Sequence, residues 1–88
     1  MNVVLTAKAV AGIEALRARG RDRLAAGAEG VVRLLEADPE GHRAVGTQVQ
    51  IEGGFGWTKS VDVGDDVCLV AWVVEGSDLV VLDVRHFF

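Results

Sequence analysis

An α+β fold of element order β-α-α-β-β-β-β is predicted by three features of this 88-residue chain. Apolar residues recur at helical spacing up to Leu35, and the period changes to two after Pro39-Glu40-Gly41. The chain then closes on a continuous apolar run, Leu79–Leu82, that leads into Asp83-Val84 and a terminal cluster of Arg85, His86, Phe87 and Phe88. Such an order packs a helical hairpin on one face of a four-stranded antiparallel meander, with a short first strand added at an edge. Hydrophobic residues make up 50% of the chain, enough for one core, so residues 1–88 are predicted to form a single domain.

Asn2–Leu5 reads as the short first strand, and Thr6 as the N-cap of a helix from Ala7 to Arg19 that stops at Gly20. Val10, Ile13 and Leu16 mark its apolar stripe. Asp22 is a second N-cap candidate, followed by Leu24, Ala28, Val31, Val32 and Leu35 on a helix that ends before Asp38-Pro39. Gly27 and Gly30 each weaken that helix by about 1 kcal/mol relative to Ala, unless they admit the first helix at close range. Val45, Thr47, Val49 and Ile51 alternate with small and polar residues as a half-buried strand, and Gly53-Gly54 turns the chain. Phe55–Val63 alternates again up to Gly64-Asp65-Asp66. Val67–Val74 is apolar on both faces, as a central strand must be, and Leu79–Phe87 follows the turn Glu75-Gly76-Ser77-Asp78.

The net charge of −4 is unevenly distributed. Six basic and five acidic residues precede Pro39, whereas three basic residues (Arg43, Lys59, Arg85) face eight acidic ones from there to the end. Surfaces that bind nucleic acid through phosphates carry a basic excess, so the second half is a poor platform for RNA or DNA. The concentrated basic patch is Arg17, Arg19, Arg21 and Arg23, read either as a solvated helical corner or as a dock for an acidic partner or nucleic acid. The single cysteine, Cys68, forms no intrachain disulfide, and its apolar neighbours mark it as an inert buried thiol. Met1–Leu5 has no basic leader character and no apolar run is long enough to cross a bilayer, so a cytoplasmic protein is expected. His42, read as a loop residue, and His86 form no metal motif, the Gly53–Gly56 stretch is no nucleotide loop, and no cofactor or metal is expected.

Element order and several short segments together resemble the RelE/ParE superfamily of bacterial toxins from toxin–antitoxin modules. The carrying segments are Leu34-Leu35-Glu36-Ala37-Asp38-Pro39-Glu40-Gly41, Gly53-Gly54-Phe55-Gly56-Trp57-Thr58-Lys59-Ser60-Val61 and Asp78-Leu79-Val80-Val81-Leu82-Asp83-Val84-Arg85-His86. The resemblance implies a cognate antitoxin as partner. It implies ribosome-dependent cleavage of mRNA in the RelE-like branch, or poisoning of DNA gyrase in the ParE-like branch. In the nuclease case His86 matches a general acid or base, while Lys59 and Arg85 neutralise phosphate charge. Arg43 and Phe87 are the implied substrate-binding residues, Phe87 stacking on a base where some members have tyrosine. The chain departs from the family where most members carry an arginine early in the fourth strand and this one has Cys68-Leu69-Val70-Ala71-Trp72. A thiol offers neither the permanent charge nor the donor fork of a guanidinium.

Each candidate also has a plain structural reading. Simple alternation groups His86 with Val80, Leu82, Val84 and Phe88 on an apolar face, as a core-edge histidine, and a bulge would reverse that. Asp83 and Arg85 lie on the other face within pairing distance. Lys59 can snorkel past Trp57 and Val61 to water, and Trp57 and Trp72 read as core. A catalytically inactive interaction module, which binds a basic protein through the acidic sheet half or pairs as a homodimer, is therefore the competing function.

Overall fold

The computed structural model describes residues 1–87. Phe88, read above as sharing the face of His86, lies outside them. The elements are β1 (Asn2–Leu5), α1 (Ala7–Ala18), α2 (Asp22–Ala37), a 3₁₀ turn (Pro39–Gly41), α3 (His42–Val45), β2 (Thr47–Ile51), β3 (Gly54–Val63), β4 (Asp66–Glu75) and β5 (Asp78–Phe87). The five strands form one sheet in the order β1-β5-β4-β3-β2. β1 joins β5 in parallel, and the other three pairings are antiparallel. The meander, its central strand and the edge position of the first strand are therefore as the pattern predicts. Gly64 and Gly76, at φ +61° and +59°, make the two tight turns that join β3 to β4 and β4 to β5.

Both long helices lie on one side of the sheet. Ala9, Ile13 and Leu16 of α1 and Leu24, Ala25, Ala28, Val31 and Leu35 of α2 meet Trp57, Cys68, Val70, Trp72, Leu79, Val81 and Val84 in one core. Val10, expected in the α1 stripe, is 41% exposed, because the buried face runs through Ala9 instead. Thr6 caps α1 as predicted: its Oγ1 accepts from the Ala9 N–H at 3.1 Å. Asp22 does not cap α2. It is the first helical residue, Arg21 holds the cap position, and no side-chain hydrogen bond forms there.

Other expectations are revised by packing. Gly27 admits the Val61 side chain of β3 and not α1, while nothing but the distal end of Arg33 comes within 4 Å of where a Gly30 Cβ would stand. The close approach belongs to Gly12, where an added Cβ would collide with the Val84 carbonyl of β5. His42 and Val45, read as loop and strand, form the one-turn helix α3, so β2 begins at Thr47. His42 is 4% exposed in that helix, its ring held against Trp57 and Trp72. The Trp72 Nε1–H donates to its Nδ1 at 3.3 Å, and its ring stands edge-on to Trp57 at 4.5 Å.

Burial holds the His42 pKa below its ordinary value of 6.5, with Arg43 adding to the effect. The native state thus keeps this imidazole neutral, whereas the unfolded chain protonates it near 6.5. The stability linked to it is complete above that value and is lost as the pH falls toward the depressed native pKa. The urea midpoint is expected to fall between pH 8 and 5.5 in the native sequence, and the part due to His42 to vanish in His42→Gln. An equal decline in both proteins would refute the assignment.

Candidate functional site

The placement of His86 begins with a bulge. β4 and β5 pair in register from Glu75↔Asp78 to Trp72↔Val81 and again from Ala71↔Asp83, which leaves Leu82 as an extra residue on β5. Thr6 secures it: its hydroxyl donates to the Leu82 carbonyl at 2.8 Å, and its N–H donates to the Val81 carbonyl at 3.1 Å. Side chains alternate across a strand, so one extra residue exchanges the faces downstream. Leu79 and Val81, then Val84 and His86, consequently face the helices, whereas Val80 faces the uncovered side.

His86 sits opposite Cys68 at the helix-side margin of the sheet, its side chain 8% exposed. Its Nε2 lies 2.6 Å from Asp66 Oδ1, and its Nδ1 lies 3.3 Å from Arg19 Nη1. A guanidinium only donates, so the arrangement fits a ring that accepts at Nδ1 and donates its Nε2–H to Asp66. Arg21 Nε approaches the second Asp66 oxygen at 3.3 Å. The hydrogen bond from His86 is the main reason the Asp66 carboxyl is held below its usual pKa, with Arg21 contributing. The Arg corner of the helical hairpin, the β3–β4 turn and the end of β5 thus converge. Sequence reading named the arginines and the histidine separately, and nothing local in the chain pairs them.

Beside this cluster, a groove of about 330 Å³ runs between α1 and the end of β5, lined by Lys8, Gly12, Arg19, Arg85 and His86 among others. Asp83 Oδ2 lies 3.5 Å from Arg85 and 3.6 Å from Lys8, so the expected Asp83–Arg85 pair exists and gains a third member.

The remaining candidates are dispersed. Lys59 pairs across from Val70 on the helix side of β3, exposed at its end, with all of β4 between it and His86. Arg85 and Phe87 pair with Leu69 and Val67 on the opposite face, Phe87 being 45% exposed. Arg43 stacks over Trp57, its guanidinium carbon 5.7 Å from the ring centroid, on the far side of the sheet from β5. Cys68, which stands where the resemblance implies an arginine, is fully buried, and burial pushes its thiol pKa up to about 11. It provides no charge there. No group of three or more metal-ligating side chains is found among the described residues.

The face of the sheet away from the helices is apolar at its centre. Val4 pairs with Val80, Val80 with Val73, and Val49 with Gly56, whose missing side chain leaves room for Val73 and Ile51. One apolar row therefore crosses all five strands. Leu69, Ala71 and Val67 extend it along β4.

No protein-family model matches the sequence, and neither does any curated protein. Among solved structures, the chain is similar to a YoeB/ParE toxin from Agrobacterium tumefaciens at a TM-score of 0.63 and 16% identity, over 100% of both chains. At that identity the likeness lies in the backbone. It agrees with the fold that the strand order and helical hairpin define: the chain has the fold of that toxin.

Proposed function

We propose that this protein is the toxin of a toxin–antitoxin module, restrained by a cognate antitoxin in the cytoplasm, and that it acts by binding a protein and not by cutting RNA. The observation that carries the second half is the uncovered face of the sheet. It presents a continuous apolar row, and among the described residues the one basic residue its strands contribute, Arg85, is already paired to Asp83. Such a surface suits protein contact and offers a phosphodiester little charge. The toxin half draws support from the fold likeness over the whole chain. DNA gyrase is the first protein target to assay.

A second reading retains one observation. The Asp66–His86 pair fixes an imidazole whose acceptor nitrogen, Nδ1, faces Arg19, so a ribosome-dependent mRNA endonuclease would use His86 as acid–base group once Arg19 leaves that nitrogen. In that case Arg85 and Lys59 would neutralise phosphate, and Arg43 and Phe87 would contact RNA.

Inducing the gene without its antitoxin is expected to arrest growth while bulk mRNA stays intact. A folded His86→Ala variant is expected to arrest growth as strongly as the parent. Loss of arrest in that variant, together with mRNA cleavage by the parent, would transfer the function to the nuclease. Healthy growth at high expression would remove the toxin assignment and leave the interaction module or homodimer.

A further inference from the structure

We infer that the uncovered face of the sheet receives a basic amphipathic segment of another protein, a helix with an apolar stripe flanked by Lys or Arg. The inference deepens the proposed function, and rests on it for taking this face as a protein-binding surface. The apolar floor is formed by Val4, Val49, Ile51, Leu69, Val80 and Phe87, of which Val4 and Phe87 are each 45% exposed and Ile51 38%. Val73 lies in the middle of this floor. It is 8% exposed yet belongs to no part of the core beneath the helices.

Charge selects the occupant. Asp62 of β3, Glu75 of β4 and Asp78 of β5 alternate onto this same face, and none of them has an ion-pair partner among the described residues. Among the described residues Arg85 is the one basic residue that the strands place on this face, and it is engaged with Asp83, which Lys8 of α1 also reaches. Three uncompensated carboxylates around an apolar floor repel a phosphate backbone and an anionic bilayer. They also oppose a second copy of this chain, since a twofold contact would set the same carboxylates against one another. A cationic amphipathic helix satisfies both parts of the surface, its stripe covering the valines and its flanking ammonium or guanidinium groups meeting the rim. Five strands at about 4.8 Å spacing make a face roughly 20–24 Å wide, which a helix of about 14–16 residues spans.

The test uses the full chain, isotopically labelled, and two synthetic 16-residue helical probes, a length of about four to five turns. Both carry the same leucine stripe, one flanked by Lys and the other by Glu. The Lys-flanked probe is expected to shift the amide resonances of Val49, Leu69, Val73 and Val80. Its affinity is expected to fall about tenfold or more in Asp62→Lys/Glu75→Lys, two surface changes that leave the core untouched. The Glu-flanked probe is expected not to bind. Equal binding of both probes, or shifts confined to α1 and α2, would overturn the inference while leaving a protein-binding toxin intact. Self-association of the free chain through Leu69 and Val80, seen by sedimentation, would overturn it in favour of a second copy. Failure of both probes would also overturn it, and the proposed function fails with it if His86→Ala also loses growth arrest while the parent cleaves mRNA.

Discussion

Trp72→Ala is expected to lower stability by about 3–5 kcal/mol, the largest effect of any single truncation in this chain. Trp72 is the largest fully buried side chain and is 0% exposed at the centre of β4. It belongs to the core that the helices and the sheet share, and its indole N–H is the donor that His42 Nδ1 accepts. Truncation therefore opens a cavity and also leaves a buried acceptor without its partner. A domain of this length is stabilised by about 5–10 kcal/mol in all, so the variant sits near its folding threshold at 37 °C. Urea denaturation followed by far-ultraviolet circular dichroism measures the loss. A change below about 1 kcal/mol would mean that the core is not organised around this residue.

Gly12→Ala comes second and reverses the usual sign. Alanine in place of glycine inside a helix ordinarily stabilises by about 0.4–1 kcal/mol, through propensity and the unfolded state. At Gly12 the new methyl would collide with the carbonyl of Val84, a backbone atom that cannot rotate away. Helix α1 must then lift from β5, and a net loss of about 1–3 kcal/mol is expected. Gly30→Ala is the matched control. Its methyl would meet only the distal end of Arg33 at 3.8 Å, so the ordinary gain should appear. Opposite signs in the two urea midpoints would confirm the α1–β5 contact, and two gains would refute it.

That contact also bears on His86. The lifted helix would carry Arg19 with it, and the Gly12–Arg19 stretch walls the groove beside β5. Helix packing, the bulge at Leu82 and the tautomer of His86 are thus one linked arrangement. It sets the binding face apart from the margin that holds His86.

Much of the fold was legible in the chain because its signals are local. Alternation over Phe55–Val63, the apolar run of β4 and the glycines at the tight turns specify a meander without reference to anything distant. Thr6 as N-cap, the buried tryptophans and the Asp83–Arg85 pair follow from the same short-range rules. The one-turn helix α3 escaped because four residues are too few to display a period, and its histidine is held by tryptophans from β3 and β4. The candidate site was legible only as separate residues.

Local pattern along the chain specifies the order of the long elements, the four-stranded meander, the edge strand and the acidic character of the second half. Tertiary structure alone decided which way the terminal strand presents its residues. Leu82 bulges where its carbonyl accepts the hydroxyl hydrogen of Thr6, 76 positions away in the chain, and no periodicity within β5 encodes that bond. The extra residue turns His86 from the uncovered face to the helices, where Asp66 and Arg19 hold it. It leaves Arg85 and Phe87 beside the apolar row. A period-two pattern fixes faces only relative to its own register, and register is set by partners brought together from distant parts of the chain.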